Sequence, residues 1–349
     1  MDRLDRQILQ ALQLEGRAPF SRLAAVLGVS EQTIARRYRR LHTQGVVRVL
    51  GLIDPARQNL ARWFVRAQCR PDAAAHLAEV LAARDDVSWV SLTAGGSEVT
   101  CATHTRRPEQ PEELLLKRLP RTSQILSFTA HLLLHRFAGD GPDWNAYGDA
   151  LTTEQAHHLR TQAVPGSSGG MVAGTTAEFT TEDEPLLDAL TRDGRASHRT
   201  LATVTGWPES RVARRIDQLH ATGTLYTDVE IAYELFGFTT TAYLWLTIAP
   251  AHVAQVGTAL AAHTETTFVA AITGSANLLV SVLCLDAEQL YTYVTTQIDA
   301  IDAVRQVEIS PVLRRLKQAG TLMAGPRLQN PTAPTRQRHG QSRWTILLR

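Results

Sequence analysis

The sequence lacks the features by which several classes of protein are recognised. It has 3 cysteines in 349 residues, too few and too dispersed for a disulfide framework or a zinc site. It contains no run of about 18 apolar residues, which excludes a membrane-spanning helix, and its charged first residues do not form a signal-peptide core. We therefore expect a cytoplasmic globular protein in which Cys69, Cys101 and Cys284 are buried apolar side chains.

The usual groups of residues for catalysis or metal binding are also missing from the sequence. We find no paired carboxylates, no His/Cys cluster with metal-ligand spacing and no glycine-rich phosphate loop. The formal net charge is only +2, so the charge of the whole chain does not indicate a nucleic-acid partner. These absences argue against an enzyme, and we expect no cofactor and no metal.

What the chain does contain is an internal repeat with an offset of 178 residues. Gly16-Arg17-Ala18 recurs as Gly194-Arg195-Ala196, and Ala35-Arg36-Arg37 recurs as Ala213-Arg214-Arg215. Over positions 4–45, 18 of 42 residues are identical to their counterparts without a gap. We infer a duplicated unit of about 140 residues, and we refer to its two occurrences as copy one and copy two.

The first part of each copy has the pattern of three short amphipathic helices. In copy one, apolar residues recur at helical spacing, Gly28 is placed in a tight turn, and Ser30 is placed to cap the third helix. Two short helices joined by a glycine-containing turn are typical of a helix-turn-helix. Apolar residues alternate with Arg and Gly over residues 46–53, which predicts a strand or wing after the third helix.

The third helix of copy one carries polar and basic residues on the face opposite its apolar stripe. Cations on one face can meet phosphates, and planar amide or guanidinium groups can pair with base edges. Residues 1–50 contain nine arginines and four acidic residues, a local charge of +5. The predicted DNA-binding residues of copy one are Ser30, Gln32, Thr33, Arg36, Arg37 and Arg40.

The equivalent region of copy two is acidic. Residues 180–228 contain six arginines and eight acidic residues, a charge of −2, and Asp217 and Gln218 replace the Arg39 and Arg40 of copy one. A carboxylate near the phosphate backbone opposes the attraction that dominates affinity for DNA. We therefore expect weaker or altered DNA contact from copy two, with a purely structural second head as the alternative. The predicted contacts are Ser210, Arg211, Arg214 and Arg215.

The second part of each copy predicts the order strand, helix, strand, strand, helix, strand. The strands are predicted from alternation and β-branched content. This order is that of a ferredoxin-like sandwich, whose antiparallel sheet has helices on one face and can pair with another sheet through the other. The predicted fold class is α+β, with two tandem units that each contain a winged helix-turn-helix followed by a ferredoxin-like βαββαβ domain.

The predicted domain boundaries follow from these patterns and from two segments of different composition. A stretch rich in Gly, Ser and small residues joins the copies, and the end of the chain has no periodicity. The predicted parts are a first helix-turn-helix domain over 1–52, a first ferredoxin-like domain over 60–138, a short helix and flexible linker over 139–179, a second helix-turn-helix domain over 180–231, a second ferredoxin-like domain over 237–318, and a disordered tail over 324–349.

This combination resembles the Lrp/AsnC (feast-or-famine) family, and the resemblance covers nearly the whole chain twice. The motifs that carry it in copy one are the segment 4–9, Gly16-Arg17, Leu23-Ala24, Gly28-Val29-Ser30, the segment 36–41 and Gly45-Val46-Val47. The resemblance implies a bacterial transcriptional regulator that binds double-stranded DNA and an amino acid or related metabolite. It also implies a homo-oligomer, a dimer or larger, although two copies in one chain can pair internally as a pseudo-dimer.

The family resemblance further implies a small-molecule site in the ferredoxin-like (RAM) domains. Residues 273–279 resemble the family's Gly-x-x-Asp turn, and the implied ligand-binding residues are Gly274, Ser275 and Asn277, with Gly96 and Ser97 in copy one. The family's Asp corresponds here to Asn277 and, in copy one, to Val99. Asn cannot pair with an ammonium as a full charge and Val cannot hydrogen-bond, so we expect a site unlike one for a plain zwitterionic amino acid.

Two alternative functions stay open at this point. Tandem proteins of similar architecture act as siroheme decarboxylases and carry a His-Asn-Tyr-type stretch, but the equivalent stretches here, residues 57–64 and 234–238, contain no His. His131 and His135 lie at even spacing in a predicted strand, and we interpret them as one exposed face of it. The other alternative is a metabolite-sensing module without DNA binding, against which the +5 charge of copy one argues.

Overall fold

The computed structural model of the protein describes residues 1–58, 60–70, 72–104, 114–139, 150–161 and 179–329. The α-helices of these residues are α1 (Arg3–Leu14), α2 (Phe20–Leu27), α3 (Glu31–Thr43), α4 (Ala74–Ala82), α5 (Thr153–Thr161), α6 (Glu184–Arg192), α7 (His198–Thr205), α8 (Glu209–Ala221), α9 (Val253–Ala261) and α10 (Ala287–Thr292). The strands are β1 (Val47–Ile53), β2 (Arg62–Cys69), β3 (Val87–Thr93), β4 (Glu98–His104), β5 (Ile125–Ala138), β6 (Leu225–Ile231), β7 (Thr240–Ile248), β8 (Thr266–Ile272), β9 (Leu278–Cys284), β10 (Val304–Arg315), β11 (Met323–Ala324) and β12 (Arg327–Leu328).

The described residues form two compact units, and each unit takes its parts from both copies. The first, which we call the head unit, contains the described residues of Met1–Gln58, Gly139–Phe236 and Pro326–Leu328. The second, the sheet unit, contains those of Asn59–Ala138, Gly237–Gly325 and Gln329–Arg349. Equivalent parts of the repeat are therefore grouped together, with both predicted helix-turn-helix domains in one unit and both ferredoxin-like domains in the other.

Each half of the head unit packs three helices around a small apolar core. We call α1–α3 with β1 head one, and α6–α8 with β6 head two. The fully buried side chains include Ile8, Leu23, Ile34 and Leu41 in head one and Leu186, Leu201, Val212 and Leu219 in head two. Gly28 and Gly206 end α2 and α7 with φ of +67° and +71°, a conformation that glycine adopts without steric cost. The predicted tight turn is confirmed.

The strand that follows each third helix pairs with the strand of the other head. β1 and β6 are antiparallel, from Val47 opposite Ile231 to Ile53 opposite Leu225. The sequence predicts a strand or wing here. In the structure it is a strand, and its backbone forms hydrogen bonds with the strand of the other head. The two heads are thereby joined by a sheet to which each contributes one strand.

Reciprocal contacts of the repeated Gly-Arg-Ala motif also join the two heads. The Arg17 guanidinium donates hydrogen bonds to the carbonyl oxygens of Gly194 and Ala196, and the Arg195 guanidinium donates to those of Gly16 and Ala18. Burial lowers the pKa of both guanidiniums. Because burial removes water from the guanidiniums, the four carbonyl oxygens take the place of water as hydrogen-bond acceptors. Identity at these positions of the repeat therefore follows from the pairing of the heads.

The sheet unit contains a closed barrel of eight strands, in the order β10-β3-β4-β2-β5-β8-β9-β7. Each copy contributes a four-stranded antiparallel sheet with the strand order of a ferredoxin-like domain. The two sheets join where β5 pairs with β8 and β10 pairs with β3. The predicted pairing of one sheet face with a second sheet thus occurs within one chain.

Three apolar clusters fill the sheet unit. Two lie between a sheet and the helices of the same copy, and the third lies between the sheets, around Phe64, Tyr243 and Trp245. Cys69, Cys101 and Cys284 are buried and free, and burial raises the pKa of Cys101 to about 12. The sequence-based interpretation of the cysteines as buried apolar side chains is confirmed.

The segments predicted as a linker and a tail are only partly within the described residues. The predicted short helix is α5, and the Leu151 amide before it donates to Gln10 Oε1 at 2.8 Å. Residues 140–149, 162–178 and 330–349, which carry most of the predicted linker and tail, lie outside the described residues. The expectation of disorder from 324 onwards does not hold for Leu328, which is buried and donates its amide to the Gly45 carbonyl oxygen at 2.8 Å.

None of the helices in the described ranges is long and apolar enough to cross a membrane.

Close packing of the two heads at Gly194 provides a test of their association. A Cβ at Gly194 would lie 2.6 Å from the Leu50 carbonyl carbon, whereas a Cβ at the equivalent Gly16 would lie 2.4 Å from the Thr227 Cγ2 methyl. We expect Gly194→Ala to lower the free energy of unfolding by about 1–3 kcal/mol, because backbone cannot be moved aside without breaking the β1–β6 pairing. Urea denaturation measures this change.

Gly16→Ala is the matched control for this substitution, since a side chain rather than backbone opposes it. Thr227→Ser removes the Cγ2 methyl, so it should restore the stability of the Gly16→Ala chain and leave that of the Gly194→Ala chain low. A Gly194→Ala chain as stable as the wild type would contradict the close contact between the heads.

Candidate functional site

The face of α3 that the sequence predicts to contact DNA is exposed in head one. The Ser30 hydroxyl caps the helix by accepting from the Thr33 amide at 3.2 Å. Ile34, Tyr38 and Leu41 are buried, as their spacing predicts. Gln32 and Arg36 are exposed on the outer side of the helix. The first turns of α3 therefore present an amide, a hydroxyl and a guanidinium to the solvent.

Arg37 is engaged inside head one, an arrangement that the sequence analysis did not anticipate. Its Nη1 donates to Asp2 Oδ1 at 2.7 Å and to Asp5 Oδ1 at 2.9 Å, and only 21% of its side chain is exposed. These hydrogen bonds raise the pKa of Arg37, and the bond from Arg37 lowers the pKa of Asp2. Arg37 thus holds α3 against the start of α1, and DNA would have to compete with two carboxylates for it.

Head two contains the same contact at the positions 178 residues later. Arg215 donates from Nε to Asp183 Oδ1 and from Nη2 to Asp183 Oδ2, both at 2.7 Å, and Asp183 is 1% exposed. We call the Arg37–Asp5 and Arg215–Asp183 pairs the clamps. Because the clamps stabilise the fold of each head, identity of these residues between the copies is not by itself a sign of DNA contact.

Arg36 and Arg214 are the repeated arginines that remain exposed on the third helices. Within the described residues, neither guanidinium has a hydrogen-bond or ion-pair partner, so both are available to an external anion. Arg40 is intermediate between these two and the clamps, because it pairs with Asp5 at 2.6 Å while 48% of its side chain stays exposed. Of the predicted cationic contacts in copy one, Arg36 is exposed without an internal partner among the described residues, whereas Arg40 is exposed but paired with Asp5.

Head two has a feature at the start of α8 that the sequence analysis missed. The Arg211 guanidinium lies 4.0 Å from the centroid of the Trp207 ring and 2.7 Å from Glu182 Oε2, with 46% of the side chain exposed. Ser210 beside it is exposed. A Trp followed four residues later by an Arg at the start of a helix is the sequence signal that could have indicated this stacking.

The turn predicted to line a ligand site in copy two contacts β5 of copy one through Thr273 and Gly274. Gly274 has φ of +118°, and a Cβ there would lie 2.6 Å from His131 Nδ1. The Thr273 carbonyl oxygen is 2.6 Å from the same nitrogen, and the Thr273 hydroxyl accepts from the Leu132 amide. His131 is 8% exposed, so the interpretation of His131 as exposed is wrong, whereas His135 is exposed as expected.

The side chain of Asn277 is bound to the backbone at the end of β7. Its Oδ1 accepts from the Ile248 amide at 2.8 Å, and its Nδ2 donates to the Ile248 carbonyl oxygen at 2.7 Å. Ser275 is exposed, and its carbonyl oxygen accepts from the Thr247 hydroxyl at 3.2 Å. Of the three residues predicted for this turn, Ser275 has the side chain that is most accessible to a ligand.

The corresponding turn of copy one is built differently. The Ser97 hydroxyl donates to the Ala94 carbonyl oxygen at 2.9 Å, and a Cβ at Gly96 would lie 3.3 Å from Leu313 Cδ2 of copy two. Val99, at the position of Asn277, is fully buried in the core of copy one. This turn therefore has no amide that could join it to the neighbouring strand as Asn277 does.

A charged cluster between the two sheets was also missed by sequence reasoning. The Arg66 guanidinium pairs with Glu98 and Glu308 and lies 4.4 Å from the centroid of the Trp245 ring. Glu98 is 2% exposed and also accepts from the Thr93 hydroxyl at 2.8 Å. Across the part of the chain that the structure describes, no group of three or more His, Cys, Asp or Glu residues could hold a metal ion.

The clamp of head two makes a specific contribution to stability in acid. Burial alone raises the pKa of Asp183, but hydrogen bonds from Arg215 and Thr180 outweigh burial and leave the pKa below its usual value of 3.8. The clamp therefore stabilises the protein above about pH 4, and this contribution is lost as the pH falls through the lowered pKa. We expect Asp183→Asn to reduce the free energy of unfolding at pH 7 by about 1–3 kcal/mol and to flatten its dependence on acid pH.

Asp217→Asn is the control, because Asp217 is an exposed carboxylate on the same head and should change stability little. Urea denaturation at pH 7 and at several values below pH 4 gives the comparison. Parallel curves of stability against pH for the wild type and Asp183→Asn would contradict the stabilising role of the clamp.

Comparison with known families identifies the parts of the chain. The model of the AsnC-type helix-turn-helix domain matches residues 1–42 and 183–220. The model of the Lrp/AsnC ligand binding domain matches residues 241–322. The two helix-turn-helix matches correspond to heads one and two, and the third match lies in the ferredoxin-like domain of copy two.

Known regulators are similar to part of this chain. An uncharacterized HTH-type transcriptional regulator of Pyrococcus furiosus is 29% identical over 135 residues, 38% of this chain and 91% of that protein. The HTH-type transcriptional regulator AldR of Mycolicibacterium smegmatis is 28% identical over 147 residues, 41% of this chain and 86% of AldR. Each of these relatives thus matches about two fifths of this chain.

The solved structure of the siroheme decarboxylase NirDL resembles the whole chain in fold. It covers 91% of this chain and 93% of its own, with a TM-score of 0.62 and 13% sequence identity, a similarity that shows the shared fold alone. The family matches, the repeat and the paired architecture agree with one another. The chain contains two AsnC-type helix-turn-helix domains and a domain of the Lrp/AsnC ligand-binding type.

Proposed function

We propose that the protein is a sequence-specific DNA-binding transcriptional regulator in which one chain supplies both DNA-reading heads. The observation that carries the proposal is the exposure of Arg36 and Arg214 at equivalent positions of α3 and α8, in a unit that holds both heads together. The relatives are named HTH-type transcriptional regulators, which supports the same function.

The physical basis of the proposal is the geometry of helix-turn-helix dimers. Such dimers place two recognition helices in successive turns of the major groove, about 10 base pairs apart, and arginines on these helices bind phosphates and base edges. Head one carries most of the positive charge, and head two carries Asp217 and Gln218 where head one has Arg39 and Arg40. Head one therefore supplies the larger share of the electrostatic attraction.

The salt dependence of DNA binding tests the proposal. Fragments enriched from genomic DNA are bound by the full-length wild type, Arg36→Ala and Arg214→Ala at several salt concentrations. If each arginine contacts a phosphate, each substitution should weaken binding and reduce the slope of log K against log salt by about 1. Arg305→Ala removes an exposed arginine from the sheet unit and is the matched control, with no expected change.

Arg37 and Arg215 are not substituted in this experiment. Arg37→Ala and Arg215→Ala should lower the stability of the heads, because the contacts to Asp5 and Asp183 would be lost. If Arg36→Ala and Arg214→Ala both leave the affinity and the salt slope unchanged, the third helices do not read DNA, and the proposed function is wrong.

We further propose that the sheet unit binds a small effector related to an amino acid at the turn formed by Gly274, Ser275 and Asn277. The match of the ligand binding domain over 241–322 supports an effector. Because Asn277 already binds the Ile248 backbone at both ends of its amide, the ligand would meet the Ser275 hydroxyl and backbone groups of the turn. A site of this kind suits a metabolite that does not require a carboxylate partner for its ammonium.

Thermal stability in the presence of amino acids and related metabolites tests the effector site. A bound effector should raise the melting temperature saturably, since ligands that bind only the folded state stabilise it. Ser275→Leu should abolish the rise, and Thr258→Leu on the exposed surface of α9 is the control that should retain it. A rise that Ser275→Leu leaves intact would place the ligand elsewhere.

We propose a regulator rather than an enzyme. The similarity to a siroheme decarboxylase, at 13% sequence identity, concerns the fold and does not indicate a shared activity. His131 is engaged inside the sheet unit, since its Nδ1 lies 2.6 Å from the Thr273 carbonyl oxygen and its Nε2 lies 3.3 Å from the Thr129 hydroxyl. A cytoplasmic location follows from the proposed DNA binding.

The proposed active form is one chain acting as a pseudo-dimer. The pairing of β1 with β6 and the closure of the eight-stranded barrel both use strands from the two copies, which supports internal pairing. Assembly of several chains into a larger homo-oligomer stays a prediction from the family resemblance.

A further inference from the structure

The two heads present different chemical groups at equivalent positions of their third helices. Gln32 and Thr33 on α3 correspond to Ser210 and Arg211 on α8, whereas Arg36 has an identical counterpart. These positions lie in the first turns of each helix, the part of a helix-turn-helix that reaches base edges. The shared arginine therefore suits contacts common to both halves of a site, and the differing residues suit discrimination between them.

The difference is one of hydrogen-bonding capacity as well as of charge. A glutamine amide pairs with adenine by donating one hydrogen bond and accepting another, whereas an arginine guanidinium donates two hydrogen bonds to guanine. Gln32 is exposed at the start of α3. Arg211 is 46% exposed at the start of α8. Gln32 and Arg211 are offset by one position in the repeat, and the two heads are thus built to prefer different bases in their half-sites.

Arg211 is held ready for such a contact. Its guanidinium is stacked 4.0 Å from the centroid of the Trp207 ring, which restricts the plane of the group. Its ion pair with Glu182 is exposed, with 70% of the Glu182 side chain accessible, so the pair contributes little and can be exchanged for a base. In head one the equivalent Thr33 is instead bonded to the capping Ser30 hydroxyl at 2.9 Å.

The order of the two heads along the DNA is fixed by the head unit. The strands β1 and β6 pair over seven positions, and Arg17 and Arg195 bind the backbone of the opposite head. A change of spacing or relative orientation would break these contacts. A homodimer presents two identical reading surfaces, but this chain presents two unlike surfaces in a constant arrangement.

We infer that the chain recognises a DNA site with two unlike halves, one read by head one through Gln32 and the other by head two through Arg211. The inference rests on the proposed DNA-binding function and adds the class of site and the residues that distinguish its halves. The half bound by head one has an adenine opposite Gln32, and the half bound by head two has a guanine opposite Arg211. The site therefore has a direction, whereas a palindromic operator has none.

The test begins with selection of random duplexes by the full-length wild-type protein, followed by footprinting of the enriched sequences. Three duplexes are then compared, all with the selected spacing: one with the two unlike halves, and two with either half repeated as a palindrome. The unlike pair should bind most tightly, with a loss of roughly tenfold for each base pair mismatched to its head. A palindrome bound as tightly as the unlike pair overturns the inference.

Two variants assign the halves to the heads. Arg211→Lys keeps the charge but loses the planar two-donor group, so it should relax base preference in one half and leave the salt slope unchanged. The double variant Gln32→Ser and Thr33→Arg gives head one the reading residues of head two, and it should shift preference to the palindrome of the second half. A change in both halves from Arg211→Lys, or in neither, contradicts the assignment.

The outcomes separate this inference from the proposed function. If no duplex is enriched and Arg36→Ala has no effect on binding to genomic fragments, the DNA-binding function itself is wrong. If duplexes are enriched, bind with the expected salt dependence and prove palindromic, the protein is a DNA-binding regulator whose heads read equivalent halves, and only the inference of unlike halves is wrong.

Discussion

The reciprocal contact between the two Gly-Arg-Ala motifs is the interaction on which the arrangement of the heads depends. Arg17 and Arg195 each reach across to carbonyl oxygens beside the other arginine, and Gly194 allows its head to approach the Leu50 backbone. A guanidinium that has lost water on burial needs acceptors, and the partner head supplies them. Because each head completes the contacts of the other, duplication of the motif within one chain makes the head unit self-contained.

The same principle operates in the sheet unit, where neither copy leaves the inner face of its sheet exposed. Phe64 of copy one packs against Tyr243 and Trp245 of copy two, and β5 and β10 close the barrel by pairing with strands of the other copy. Both units therefore need both copies. This requirement keeps the interfaces alike in the two copies while allowing their outer surfaces to differ, as Arg39 and Asp217 do.

The clamps show why a residue that is identical in both copies can have a structural role. A residue that differs between the copies can instead have a functional role. Asp183 is buried and would be destabilising without Arg215, and the buried Asp5 is paired with both Arg37 and Arg40, so each head requires its ion pairs. Gln32 is exposed and Thr33 is half-buried, and neither is a buried charge that requires a partner. Differences there are tolerated by the head and are available for discrimination between DNA sequences.

The sequence was sufficient for the repeat, the helix-turn-helix, the βαββαβ order and the buried stripe of Ile34, Tyr38 and Leu41, because periodicity and glycine placement are local properties. It could not show that Arg37 meets Asp5, that Asn277 binds Ile248 or that His131 is covered, since these contacts join residues that are distant in the chain or lie on different elements. Local chemistry thus specified which groups each head and sheet carries. Which of those groups remain free to meet DNA or a ligand depended on packing between the copies, because a side chain already satisfied by its neighbours is no longer available.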